Sequence, residues 1–323
     1  MIIIVITILY SISTILYPRS SSIISINTLN YRYGTYSQLL VNEILRNRNS
    51  TKTIAFKPCS GSGFGNHING MKGILLLSIL NDARICVDYG AYFEVMQPSL
   101  SILKCNSIQG KSVDVKTYHS VLLNMYCNPV LSEKNLIISS WENAGSYILK
   151  CNSVISMLEK KGLWRNDIDK RMTQFLFQLV PYLENHGKSL LNRMKGLKIG
   201  IQLRFGGSVA NTRERAIFLN ITNFSSTLQR IKSIISKYPN DHSLFISSDS
   251  NKTISLLSPL HERIITADKY ALGHTYVKKA YLERTVIDLY ILSHCDVIIA
   301  TTRSSYGGLA IQLSQGSEYY YIK

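Results

Sequence analysis

The chain has 323 residues, of which 46% are hydrophobic, so it is globular and long enough for two domains at the usual ~100 to 200 residues each. Its formal net charge of +16 favours anionic partners, yet no Lys/Arg block or nucleic-acid motif concentrates that charge, and nucleic acid is not expected as a partner. Six cysteines without a CxxC pair argue against a zinc site and suit disulfides in an oxidising compartment.

Residues 1 to 17 carry no charge and are dominated by Ile and Leu until Pro18 and Arg19 break the run. That length fits either a cleaved signal peptide or a short uncleaved membrane anchor. Four acceptor sequons, at Asn49, Asn220, Asn223 and Asn251, also point to the secretory lumen. Residues 18 to 50 read as a stem or an entry to the first domain, with a weakly apolar helical patch from Tyr36 to Leu45.

A short strand from Thr51 to Phe56 runs into a glycine-rich turn holding Gly61, Gly63, Gly65 and Asn66. A helix follows through Asn81, and Arg84 to Asp88 forms the next strand, completing a βαβ unit. A glycine turn between strand and helix can present backbone N–H groups to a phosphate or a sugar, or can simply be a tight turn with Asn66 as helix cap. It is not a Walker loop, because Asn66 and His67 follow Gly65 where Lys and Ser/Thr are needed, and its glycine spacing is not GxGxxG.

The stretch from Tyr92 to about Asn152 is irregular apart from a strand at 136 to 140. A long amphipathic helix is then expected, capped by Asn166, with Ile168, Met172, Phe175, Leu176, Leu179, Val180 and Leu183 on its apolar face. Asp167 and Asp169 make a DxD triplet, but acidic residues belong in a first helical turn for dipole reasons, so no metal role is assigned. Pro181 and the segment 187 to 196 mark the boundary between domains 51–195 and 196–323.

The second half alternates strands and helices. The strand 198 to 204 ends in Arg204, followed by Gly206 and Gly207; helix 222 to 237, strand 243 to 248, a short helix 251 to 258 and a weaker strand 262 to 266 come next. Helix 278 to 294, strand 297 to 300, a small-residue turn, helix 309 to 315 and strand 319 to 322 close the domain, with Cys295 a buried thiol. This alternation predicts a parallel, doubly wound sheet whose strand ends bring Arg204, Asp249, Ser304 and Ser305 to one edge. Guanidinium suits phosphate oxygens, and the glycine pair would let backbone approach an anion; an arginine closing a strand against a surface carboxylate is the alternative on these residues alone.

Three separated motifs, Gly63-Phe-Gly-Asn66 with its helix and the strand Arg84 to Asp88, Ile199-Gly-Ile-Gln-Leu-Arg204, and Ser304-Ser-Tyr-Gly307, together resemble the motif series of GDP-fucose-dependent fucosyltransferases. The plant xyloglucan type is nearest in pattern, with the α1,2, α1,6 and protein O-fucosyltransferases further off. The resemblance covers roughly residues 55 to 90 and 195 to 320 and implies an α/β GT-B architecture, two Rossmann-like domains facing across a cleft, behind the N-terminal hydrophobic segment. It further implies an inverting transferase that takes L-fucose from GDP-β-L-fucose to a glycan or glycoprotein acceptor without a metal, in the Golgi or endoplasmic reticulum lumen. Arg204 would clamp the diphosphate, with Gln202 beside it; Ser304, Ser305 and Tyr306 would meet phosphate; Asp249 would approach guanine or ribose; and Gly63, Gly65 and Asn66 would line the pocket from the first domain. Many members carry HxRR, whereas this chain has Gln202, Arg204 and then Phe205; Arg213 and Arg215 could supply the missing charge from the loop. Glu94, Glu214 and Asp268 are candidate bases. Two other classes stay open: a non-catalytic glycan- or nucleotide-sugar-binding relative, and a lumenal sulfotransferase, against which the missing phosphate-binding loop counts.

Overall fold

The structure, a computed structural model, describes residues 26–58, 62–105, 111–114, 127, 135–139, 149–207, 216–250, 256–257, 260–268 and 279–323. The hydrophobic run 1–17, Cys59, Gly61, Arg213, Glu214, Arg215, Asn251 and most of the expected helix 251–258 lie outside them. Among the described residues no helix is long and apolar enough to cross a membrane.

The first sheet is parallel, in the order β2-β1-β4-β3, from β1 (Thr53–Phe56), β2 (Arg84–Val87), β3 (Lys111–Asp114) and β4 (Asn135–Ser139). Helix α1 (Ile26–Arg46) precedes it and buries Tyr36, Leu40, Val41 and Ile44; the Tyr36 hydroxyl donates to the Leu163 carbonyl across 3.0 Å. Helix α2 (Phe64–Leu80) follows β1 and is apolar nearly all round, the mark of a helix enclosed by protein. It lies between β1 and two other helices, α5 (Ile168–Leu176) and α9 (Ser305–Leu313). Its N-cap is Gly63, not Asn66, whose backbone N–H bonds the Gly63 carbonyl inside the first turn.

Residues 92–105 are more ordered than their sequence suggested. Helix α3 (Gly90–Val95) and a 3₁₀ turn (Pro98–Leu103) lead to Cys105, which is bonded to Cys86 of β2. Cys127 pairs with Cys151, immediately before α4 (Asn152–Lys160). Cys295 is the free cysteine among the described residues, and burial holds its thiol far above the usual range.

The single long helix expected from Asn166 to Leu183 is two helices. Helix α5 ends at Leu176, the chain bridges Leu179 to Met96, and α6 (Pro181–Arg193) starts afresh with Pro181 in its first turn. Proline has no N–H to give and disfavours helical backbone in the residue before it, so Pro181 starts a helix where the apolar spacing alone continued one.

The second sheet, all parallel, has the order β7-β6-β5-β8-β9, from β5 (Leu197–Leu203), β6 (His242–Ser248), β7 (Ile264–Ile265), β8 (Val297–Thr301) and β9 (Glu318–Ile322). This is the doubly wound arrangement, reversing direction between β5 and β8. Helix α7 (Phe224–Ile235) shares a core with Ile199, Ile201 and Leu203, while α8 (Lys279–Leu292) covers the opposite face, where Gly200 leaves room for Leu292 and Cys295. The last helix begins four residues before the expected start at 309, because Ser304 is its N-cap and accepts from the Gly307 N–H.

The two sheets are joined by helix packing. Helix α6 lies on α8, where a side chain at Gly187 would meet the Tyr290 ring, and α9 lies on α2 and α5. At that second contact Lys72, fully buried, bonds Asp169 at 2.8 Å and Gln312 at 3.1 Å, and the Gln312 amide donates to Asp169 at 2.9 Å.

Candidate active site

Strand β5 is buried and branched-aliphatic, as a central parallel strand must be, and it delivers Arg204 one residue beyond its end. The Arg204 N–H donates to Thr301 Oγ1 at 2.9 Å, and Thr301 in turn donates to the Gln202 carbonyl at 3.0 Å. The ends of β5 and β8 are thereby locked together. The Arg204 guanidinium lies 5.8 Å from the centre of the Phe218 ring, with Nε 3.6 Å from Asp249 Oδ2, and the side chain keeps 23% of its surface exposed. It is held but accessible.

Asp249 is engaged within the protein. Its carboxylate accepts from the Phe205 N–H at 3.0 Å and the Gly206 N–H at 2.9 Å, so it fastens the turn after β5 and partners Arg204. The glycine pair likewise serves the turn. Gly206 has φ of 67°, and a Cβ there would sit 1.9 Å from the Ala216 carbonyl oxygen; the Gly207 N–H bonds that same oxygen at 3.0 Å. These amides are bonded within the protein, so the pair shapes the arginine's mount rather than binding an anion itself.

Gln202 and Tyr306 also turn inward. Gln202 Oε1 accepts from the Thr301 N–H at 3.2 Å and touches Gly307, where any Cβ would lie 2.7 Å away. The Tyr306 hydroxyl donates to the Thr285 carbonyl at 2.6 Å, and burial pushes its phenol well up. Both residues fix the start of α9 against β5, β8 and α8.

The other expected residues converge. A Cβ on Gly65 would lie 2.9 Å from the Ser305 carbonyl and the Tyr306 nitrogen, so the first turns of α2 and α9 meet in backbone contact. Two helix N-termini converge there, each with amides that have no acceptor within its own helix and each positive by its dipole. Asn66, Ser304 and Ser305 line one cavity of about 370 Å³ at this junction, with Asn69 and Arg303. Arg204 is not part of that lining; it stands past the end of β5, which is paired with the β8 strand that leads into α9. Gly63 caps α2 and points no group at the cavity.

Four further residues were missed from sequence. Arg284 and Asp288, one turn apart on α8, form a buried ion pair at 2.8 Å; Asp288 accepts from Ser247 at 2.9 Å, and Arg284 donates to the Ala267 carbonyl at 2.6 Å. Burial raises the Asp288 carboxyl, opposed by Arg284. An Arg and an Asp at i and i+4 on one helix were the available signal. Asn69 and Arg303 gave none, since only the fold brings them to one cavity.

The DxD carboxylates are engaged elsewhere. Asp169 bonds Lys72 and Gln312, and Asp167 bonds Arg171 at 2.6 Å. Of the candidate bases, Asp268 is exposed at 3.7 Å from Arg284, Glu94 is exposed on α3, and Glu214 lies outside the described residues.

Comparison by sequence finds no matching family profile and no matching curated protein. Comparison by structure does. A mutant of Arabidopsis thaliana FUT1 in complex with GDP matches at a TM-score of 0.56 and 14% identity, covering 95% of this chain and 80% of that one. The fucosyltransferase NodZ from Bradyrhizobium matches at 0.55 and 12%, covering 81% and 93%, and POFUT1 in complex with GDP-fucose at 0.50 and 11%, covering 84% and 98%. Shared over 80 to 98% of each of these chains, and built here from two parallel α/β units, the fold of this chain is the GT-B fold of these fucosyltransferases.

Proposed function

We propose that the chain is a metal-independent fucosyltransferase that moves L-fucose from GDP-β-L-fucose to a glycan or glycoprotein hydroxyl with inversion. The observation that carries this reading is Arg204, accessible and mounted at the end of the central strand beside the α9 N-terminus, in a fold shared with fucosyltransferases whose structures hold GDP or GDP-fucose. The bond from fucose C1 to the β-phosphate oxygen breaks and its electron pair leaves with GDP. The acceptor oxygen bonds C1 from the opposite face, and its proton passes to water or to an exposed carboxylate such as Asp268.

Charge develops on the leaving diphosphate as the sugar becomes oxocarbenium-like. A fixed guanidinium and a helix N-terminus stabilise that charge without reorganising, which is where such donors act most strongly. Ser304 and Ser305 are placed by the α9 cap, Asn66 faces them from α2, and Asp249, Gln202, Thr301 and Tyr306 hold this frame rather than touch substrate. On this reading Arg204 supplies at the diphosphate the positive charge that a metal would otherwise provide. The hydrophobic run 1–17, the sequons and the two disulfides support residence in the secretory lumen, with the run as signal or anchor.

Incubating protein secreted from residue 18 onward with GDP-fucose and a glycan array, with and without EDTA, tests the proposal. Fucosylated product formed in both arms is the expected result. Loss in EDTA that manganese restores would replace the arginine reading with a metal-dependent one. A second reading, a binding protein of the same fold, is favoured by the commitment of Asp169, Asp249 and Asp288 to protein partners; it predicts GDP binding with no turnover.

A further inference from the structure

Strands β5 and β8 meet where the second sheet reverses direction, the crevice in which doubly wound sheets take their ligands. They pair Gln202 with Ala300, so Arg204 and Arg303 both stand just past the ends of neighbouring strands. Arg204 already has a carboxylate beside it, Asp249 Oδ2 lying 3.6 Å from its Nε. Arg303 makes no ion pair among the described residues, and no carboxylate lines the cavity to which it belongs. Its side chain is exposed and its backbone has φ of 65°, a region that residues with a side chain rarely adopt and that persists chiefly where function holds it.

Much of the polar lining of that cavity of about 370 Å³ is committed within the protein. Gln312 bonds Lys72, Thr173 and Asp169, Thr302 Oγ1 donates to the Ile322 carbonyl, and Ser304 Oγ accepts from the Gly307 N–H. Arg303 is the charged group left to meet an occupant. Asn69 is a second sign of one: it is only 8% exposed, and its Oδ1 has no hydrogen-bond partner among the described residues. A buried acceptor without a donor is costly, so this oxygen calls for a ligand that carries one. An anion for the guanidinium and a hydroxyl for the Asn69 oxygen occur together on a sugar phosphate. The cavity draws on α2 of the first unit as well as α9 of the second, which suits the sugar-bearing phosphate, the part of a donor that must be presented to an acceptor. We infer that Arg303 is a second diphosphate-binding residue, pairing the β-phosphate that carries fucose while Arg204 holds the diphosphate from the end of β5; this rests on the transferase reading above. A diphosphate carries more negative charge than one guanidinium offsets, the more so when Asp249 shares that guanidinium. Two cations on separate strands meet the charge that develops as the bond to C1 breaks.

The test is direct binding of GDP and of GMP, which lacks the β-phosphate, measured by calorimetry for wild type, Arg303→Gln, Arg303→Gly and Arg193→Gln. Arg193 is exposed in the last turn of α6 and outside the cavity lining, so its variant removes the same charge elsewhere. Both Arg303 variants should lose about ten-fold or more in GDP affinity and keep that for GMP, whereas Arg193→Gln should bind both as wild type does. Arg303→Gly should melt no lower than wild type, since glycine relieves the positive φ, so the loss could not be ascribed to unfolding. GDP affinity that survives in Arg303→Gln overturns the inference, and so does an equal loss for GMP. An equal loss in Arg193→Gln overturns it too, leaving only the diffuse attraction of a chain with net charge +16. Turnover of GDP-fucose separates this from the reading on which it rests. Fucose transfer with GDP affinity independent of Arg303 sinks the inference alone, and an Arg303-dependent preference for GDP without transfer sinks the transferase reading alone.

Discussion

Gly65 and Ser305, 240 residues apart by their numbers, are in backbone contact: a Cβ on Gly65 would lie 2.9 Å from the Ser305 carbonyl carbon and oxygen. This is where the first sheet's helix α2 and the second sheet's helix α9 set their N-termini together. The width of the cleft at the phosphate turn depends on that glycine.

Gly65→Ala should accordingly cost about 1 to 3 kcal/mol, since the obstructing atoms are backbone and cannot rotate aside. It should also weaken GDP binding by moving Ser304 and Ser305. Gly63→Ala is the control, because nothing lies within 4 Å of its Cβ position and its φ is −84°. Thermal melts and GDP titrations of both variants check the contrast; equal behaviour of the two would remove Gly65 from the site.

Arg204→Ala should lower turnover by about 10² to 10³ with little loss of stability, because the lost interaction strengthens as the leaving group gains charge. Arg204→Lys should recover little, an ammonium lacking the planar fork. Asp249→Asn separates mount from contact: it weakens two backbone N–H bonds and should lower stability by about 1 to 3 kcal/mol, together with activity. Were Asp249→Asn to melt like wild type while GDP affinity collapsed, Asp249 would be a nucleotide contact after all.

Lys72 and Asp169 supply a pH-dependent prediction. Burial lowers the Lys72 ammonium below its ordinary value of 10.5, and the Asp169 carboxylate opposes that shift. A lysine with a depressed folded-state pKa binds its proton less readily folded than unfolded, so stability rises with pH between the lowered value and 10.5 and is flat on either side. Asp169→Asn removes the opposing charge, pushes the lower edge of that window down, and leaves a buried cation unpaired at a cost of about 3 to 5 kcal/mol. Melting curves between about pH 6 and 10 should show the variant well below wild type near neutrality and recovering more steeply toward alkaline pH. Parallel curves at constant offset would refute the coupling.

The exposed sequons Asn49, Asn220 and Asn223 give a test of compartment. Protein made in a glycosylating cell should gain mobility on a gel after enzymatic removal of N-glycans. Unchanged mobility would argue against passage through the lumen, whatever the role of residues 1 to 17.

Local pattern alone determined much of the chain. A buried strand must be continuously apolar and a half-buried helix must repeat every three to four residues, so the alternation from residue 197 to 322 and the position of Arg204 past a strand end are written in short windows. Tertiary structure decided what those windows cannot contain. The resemblance implied ligand contacts for Asp249, Gln202 and Tyr306; that their polar groups meet Phe205, Thr301 and Thr285 depends on neighbours up to 99 positions away. The apolar spacing from 168 to 183 suits one helix, and only the pairing of Leu179 with Met96 and the helix begun at Pro181 make it two. The pairing of Lys72 with Asp169, and the meeting of Asn69 with Arg303 in one cavity, come from packing α2 between two other helices, which no spacing along the chain records.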